Sequence, residues 1–148
     1  MMPLSVYRVT EYSEALLRSL GTLLLPQLSP RLGTFAEARL RAMLAHPATA
    51  LFVAEAEGRI VGMLTLAWYD APSGRKAWIE DVVVDAAVRG LGLGEALVRA
   101  AQRAAAAEGV ERVQLTSNLS RRAARALYRK CGFNEAETTV FVYKTDTE

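Results

Sequence analysis

The stretch Val82-Val83-Val84-Asp85-Ala86-Ala87-Val88-Arg89-Gly90-Leu91-Gly92-Leu93-Gly94-Glu95 constrains the fold more than any other part of the chain. A β-branched run leads into three alternating glycines, and an alanine-rich run to Glu108 follows. This reads as a strand, a tight turn and a helix, which is a building unit of mixed α/β domains. Glycines let backbone N–H groups approach a ligand closely. The helix N-terminus adds unpaired donors and a partial positive charge. Together they make an anion site suited to a phosphate or pyrophosphate. The dinucleotide fingerprint fails here, because Glu95 stands where its third glycine should fall. The P-loop pattern fails as well, because no Gly-Lys-Ser/Thr ending is present.

The rest of the chain supplies the partners for that unit. Ser5 to Thr10 reads as a strand, and Ser13 to Leu25 as a helix ended by Pro26 and Pro30. Thr34 is placed to cap a second helix that stops at His46-Pro47. The apolar runs Ala50 to Glu55 and Arg59 to Tyr69 read as a hairpin turning at Ala56-Glu57-Gly58. Asp70 to Gly74 reads as a loop, and Ala77 to Val84 as a strand. Arg112 to Thr116 is a further strand. Ser120 is placed to cap a final helix through Lys130, and Thr138 to Lys144 is expected as a last strand. The order is β-α-α-β-β-β-α-β-α-β, with at least one parallel crossover. The length of 148 residues fits a single domain spanning 1–148.

Composition narrows the chemistry. Apolar residues make up 51% of the chain, enough for a substantial core. The formal charge is only +2, so bulk charge does not point to a nucleic-acid or membrane binder. A single cysteine, Cys131, excludes an intrachain disulfide and a multi-cysteine metal site. A single histidine, His46, argues against a histidine-based zinc site and against a Ser-His-Asp triad. Cys131 reads as a small buried hydrophobe and His46 as a helix C-terminal residue. No run of apolar residues is long enough to cross a membrane, and Met1 to Tyr12 lacks the apolar core of a signal peptide. A cytoplasmic location is the default expectation.

Two segments resemble a known family. Arg89-Gly90-Leu91-Gly92-Leu93-Gly94 resembles the R/Q-x-x-G-x-G/A signature of the GCN5-related N-acetyltransferases (GNAT). Ala124-Arg125-Ala126-Leu127-Tyr128-Arg129-Lys130-Cys131-Gly132-Phe133 is similar to the same family's A-x-x-L-Y-x-x-x-G-F segment. The distance between the two segments and the element order also match. The resemblance implies an α/β fold with a mixed, mostly antiparallel sheet, a splayed parallel strand pair and about four flanking helices. It implies acetyl-CoA as cosubstrate, with its pyrophosphate on the backbone from Arg89 through Gly90, Leu91, Gly92, Leu93 and Gly94 to Glu95. The pantetheine arm would pair with Val82, Val83 and Val84, and the N–H near Val82 would polarise the thioester carbonyl.

An amine acceptor must lose a proton before it attacks a thioester, so a base is needed. Glu80 and Asp81 stand beside the expected cosubstrate strand. Strict alternation puts them on opposite faces unless a bulge intervenes. Ile79-Glu80-Asp81-Val82 is similar to the glucosamine-6-phosphate N-acetyltransferases of the family, where the acidic pair faces the acceptor. Glu80 is therefore expected as the base, directly or through water, with Asp81 orienting the acceptor. The resemblance assigns Tyr128 as the acid that protonates the departing thiolate, and a phenol stays protonated near neutral pH. The family often has an asparagine where this chain has Arg121. Asn118, one turn earlier, and Arg121 are the two candidates for that cosubstrate contact. Arg121, Arg122 and Arg125 are equally readable as phosphate contacts or as a solvated basic face.

The expected partner is a small-molecule or peptide amine, with no nucleic acid, membrane or metal involved. Phe35, Trp68, Tyr69 and Trp78 are candidate acceptor-pocket aromatics, with core packing an equal reading. Dimerisation is common among relatives but has no sequence signal here. Two alternatives stand beside a general N-acetyltransferase. One is a catalytically silent acyl-CoA-binding regulatory module, and the other is an enzyme dedicated to an amino sugar.

Overall fold

A computed structural model describes residues 3–146. The elements are β1 (Leu4–Val9), α1 (Glu14–Arg18), a π-helical stretch (Ser19–Leu24), α2 (Leu25–Leu28), α3 (Glu37–Ala45), β2 (Thr49–Ala56), β3 (Arg59–Ala71), β4 (Gly74–Val84), α4 (Leu93–Ala107), β5 (Arg112–Gln114) and α5 (Arg122–Lys130). The strands form one sheet in the order β1-β2-β3-β4-β5. Every neighbouring pair is antiparallel except β4–β5, which is parallel. The expected mixed α/β architecture is therefore present.

Local chemistry explains most element boundaries. Ser13 caps α1, its hydroxyl accepting from the Leu16 N–H at 3.1 Å. The β2–β3 turn is the two residues Glu57 and Gly58, both at positive φ, the geometry of a hairpin turn that follows strand twist. Pro26 does not end the first helical segment as the sequence predicts. The π-helical stretch closes at Leu24, which puts Pro26 in the first turn of α2, where its missing N–H costs little. The segment stops instead at Leu28, ahead of Pro30. Thr34 does not cap α3. That role falls to Ala36, with no side-chain bond.

Asp70 to Gly74 is not an open loop. β3 runs to Ala71 and β4 starts at Gly74, and Arg75 grips Asp70 through Nε at 2.8 Å and Nη2 at 3.0 Å. The expected strand Thr138 to Lys144 is absent among the described residues. A strand needs a ladder partner, and this segment has none. Phe141 is 91% exposed and Tyr143 is 88% exposed.

The sheet separates two apolar layers. On one face, Leu93, Leu97, Val98, Ala101 and Ala105 of α4 pack on Ala54, Leu64, Leu66 and Ile79. Their spacing puts them on one stripe of the helix. α4 lies close enough that a Cβ on Gly62 would come within 3.2 Å of Leu97 Cδ1. On the other face, Leu16, Leu20, Leu24 and Leu40 cover Leu51, Val53, Met63 and Val83. Each fully buried leucine contributes about 1.5–3 kcal/mol of transfer free energy.

Candidate active site

The parallel pair β4–β5 opens midway along its length. Pairing covers only Lys76–Arg112, Ala77–Val113 and Trp78–Gln114, while β4 continues to Val84. Beyond Trp78, the β5-facing edge of β4 is released. The strands are splayed, as expected.

A cavity of about 750 Å³ lies along the released end of β4. Its walls include Val82, Val83 and Val84 from β4, Arg89 to Glu95 apart from Leu91, and Arg121 to Ala124 from the start of α5. Neither α4 nor α5 has a side-chain cap at its N-terminus. Gly92 starts α4 at φ +77, a left-handed conformation that only glycine adopts without strain. Two uncapped helix N-termini therefore face one cavity, with Arg89, Arg121 and Arg122 around them. The donor set fits a pyrophosphate.

The second of these open helix ends escaped sequence reasoning, which placed Ser120 as its cap. Ser120 instead donates to Asn118 Oδ1 through its N–H at 3.0 Å and its hydroxyl at 2.9 Å. This turn leaves the α5 donors open. It also occupies the Asn118 side chain, which does not line the cavity, whereas Arg121 does. Leu91 points away and is 45% exposed. The Glu95 carboxylate pairs with Lys130 at 2.8 Å, which holds it below its ordinary pKa and ties α4 to α5. Arg125 pairs with Glu135, outside this cavity.

Gln27 is a site residue with no motif to announce it. Its Nε2 donates to Asp85 Oδ1 at 3.1 Å, and its Oε1 accepts from the Ala86 N–H at 3.0 Å. Those bonds fasten α2 to the turn that leads into the glycines.

The acidic pair sits on a bulge. Met63 faces Val83 and Thr65 faces Glu80, so two steps on β3 match three on β4. Asp81 is the point of the distortion, at φ +53, a region that Asp tolerates better than most residues. Ile79 and Val82 pack on the α4 layer, and Val83 packs on the opposite layer. The extra residue therefore lets Glu80 and Asp81 share a face. Glu80 stands across from Thr65, and Thr65 and Asp81 both line a second hollow under α2 and α3. Both residues are exposed, yet partial desolvation, then the Asp81 charge, push the Glu80 carboxyl above its ordinary range, and partial desolvation raises Asp81.

Tyr128 lines the splay cavity from α5 and is 8% exposed. Its ring packs edge-on against Phe133, at 6.1 Å between centroids. Burial raises its pKa, against a smaller opposing effect of Arg121, so the phenol keeps its proton at neutral pH. Phe35 lines the hollow beside Asp81, while Trp68 is buried in the α4 layer and Tyr69 is exposed. Trp78 lines a separate hollow between β5 and α5. Cys131 is a buried free thiol, and His46 Nδ1 accepts from the Ala48 N–H at 3.1 Å. No group of three or more potential metal ligands occurs among the described residues. No helix among them is long and apolar enough to cross a membrane.

The model of the Acetyltransferase (GNAT) family matches residues 17–133. A glucosamine 6-phosphate N-acetyltransferase from Oryza sativa subsp. japonica is 42% identical over 72 residues, which are 47% of this chain and 41% of that protein. The match thus spans less than half the length of that curated relative. An acetyltransferase of Trypanosoma brucei superposes with a TM-score of 0.77 at 28% identity, over 96% of this chain and 100% of that one. The aminoglycoside N-acetyltransferase AAC(6')-Iy, solved in complex with CoA, shares the fold at a TM-score of 0.81 and 20% identity, over 97% of this chain and 96% of that one.

Proposed function

The chain belongs to the GNAT acetyltransferase family, and from that premise we propose that it transfers an acetyl group from acetyl-CoA to a primary amine. The observation that carries this reading is the splay cavity, with two uncapped helix N-termini at one end and the Glu80–Asp81 bulge beside its β4 wall. Acetyl-CoA supplies an activated acetyl group. The protein's own groups bind, orient and move protons. The α4 and α5 N-termini with Arg89 and Arg121 hold the pyrophosphate. The freed edge of Val82 to Val84 pairs with the pantetheine amides, and the Val82 N–H polarises the thioester carbonyl.

Glu80 accepts the proton of the acceptor ammonium, directly or through water, and Asp81 orients that ammonium. The amine nitrogen then bonds to the thioester carbon as the carbon–sulfur bond breaks. Tyr128 gives its proton to the departing sulfur, and the proton still carried by the acylated nitrogen passes through water back to the Tyr128 phenolate, leaving the amide. The acceptor must come from the face opposite α4, because the bulge turns both carboxyls that way. Similarity to the Oryza relative favours an amino-sugar phosphate as a second reading.

Calorimetric titration with acetyl-CoA, followed by thiol release across an amine panel, tests the proposal. Binding together with amine-dependent thiol release is the expected result. Binding without transfer to any amine would instead identify a silent acyl-CoA-binding module.

A further inference from the structure

The hollow beside Asp81 has a chemistry of its own. It has a volume of about 450 Å³, within the range of small-molecule sites. Leu25, Leu28, Leu32, Phe35, Met43 and Met63 are among the apolar residues that dominate its wall. Asp81 is its carboxylate and Arg39 is its guanidinium. The neighbouring Arg41 is engaged elsewhere, bonded to Glu37 at 2.7 Å and stacked 3.9 Å above the Tyr12 ring. Leu28 lines both this hollow and the splay cavity, and Asp81 is adjacent to Val82 of that cavity. The two spaces therefore meet at the bulge.

We propose that the hollow binds the acceptor, and that the acceptor is a primary amine on an apolar body, an arylalkyl or branched alkyl amine, rather than a phosphosugar. This inference rests on the acetyl-transfer reading above. Charge complementarity fixes the amine end, because an ammonium at the bulge faces Asp81 with Glu80 beside it. Shape and polarity fix the body. The hydroxyls of Ser29, Thr34 and Thr65 could answer part of a sugar, but its phosphate would bring a dianion to a largely apolar wall with a single arginine to answer the charge and a carboxylate to repel it. A hydrocarbon body would instead cover apolar wall now open to water, including Leu32, which is 50% exposed.

Thiol release is compared for phenethylamine, 3-methylbutylamine, glucosamine 6-phosphate and sisomicin. Phenethylamine or 3-methylbutylamine should exceed both polar amines at least tenfold in kcat/KM. Leu32→Asp, a change at an exposed position, should cut kcat/KM for phenethylamine about tenfold while leaving the acetyl-CoA Kd within twofold. Equal or better turnover of either polar amine would overturn the proposal. So would an unchanged Leu32→Asp profile, or transfer to glucosamine 6-phosphate or sisomicin with none to either apolar amine. Loss of acetyl-CoA binding in the unmodified protein, or binding without transfer to any of the four amines, would be a different failure, that of the acetyl-transfer reading. Direct calorimetry of phenethylamine against glucosamine 6-phosphate then still decides the hollow's preference.

Discussion

Glu80 and Asp81 are sequence neighbours that share one face of β4, because the bulge at Asp81 cancels the alternation that would separate them. Asp81 raises the proton affinity of Glu80, after the larger effect of partial desolvation. In its proposed role as base Glu80 works deprotonated, so turnover should rise with pH through its pKa. Glu80→Gln should lower kcat by about 10²-fold or more and flatten that rise. Asp81→Asn removes the repelling charge and should move the acidic limb to lower pH. Unshifted limbs in the pH–kcat profile of Asp81→Asn would show that the two carboxyls are not coupled.

The same raised carboxyls predict a stability change with a definite sign. Each holds its proton more tightly folded than unfolded, so the folded chain binds more protons across that window. Stability contributed by the pair is then present below the unfolded carboxyl pKa, about 4, and lost as pH rises through the folded values. Asp81→Asn should raise the melting temperature at pH 7 and change it little at pH 3, since Asn also tolerates positive φ. Thermal melts at both pH values check the sign.

Tyr128 combines a buried ring with a place on the cavity wall. Tyr128→Phe keeps the edge-on contact with Phe133 and removes only the hydroxyl. Turnover should fall by about 10²-fold, with the KM for acetyl-CoA nearly unchanged. Wild-type turnover in the phenylalanine variant would reduce Tyr128 to a packing residue.

What the sequence revealed follows from where the information sits. The glycine turn, the β2–β3 hairpin and the alanine-rich α4 are written in local residue types, and each appears where it was expected. The bulge at Asp81 is a register event between two strands, visible only once Met63 and Thr65 have partners. The open α5 N-terminus depends on which acceptor Ser120 chooses, and Asn118 competes with the helix for it. The segment Thr138 to Lys144 has strong strand propensity, but propensity does not supply a neighbouring edge. Gln27 belongs to no motif because its partners lie 58 and 59 residues away.

That tether gives a test of how α2 shapes the glycine turn. Gln27→Ala removes the acceptor of the Ala86 N–H and the donor to Asp85. Both bonds are exposed, so the loss of stability should stay near 1 kcal/mol. The turn they hold leads straight to Arg89 and Gly90, so the KM for acetyl-CoA should rise several-fold with kcat nearly constant. Gln27→Glu keeps the acceptor for Ala86 but sets a second carboxylate against Asp85, and should not rescue the KM. Unchanged steady-state constants in Gln27→Ala would show that the turn holds its shape without α2.

Gly92 and Gly94 differ in why they must be glycine, and a double-mutant cycle separates the reasons. A Cβ on Gly92 meets nothing within 4 Å, but its φ of +77 is left-handed. Gly92→Ala should cost about 1–2 kcal/mol through backbone strain alone. Gly94 is not left-handed, yet its Cβ would stand 3.1 Å from Leu127 Cδ2 and 3.9 Å from Val84 Cγ2. Gly94→Ala gains helix propensity and loses close packing of α5 on α4 and β4. Shortening the neighbour with Leu127→Ala should therefore recover part of the Gly94→Ala loss and none of the Gly92→Ala loss. Urea unfolding of the three single and two double variants, at constant m, reads the coupling directly. Additivity in the Gly94–Leu127 pair would place the cost of Gly94→Ala in the backbone instead.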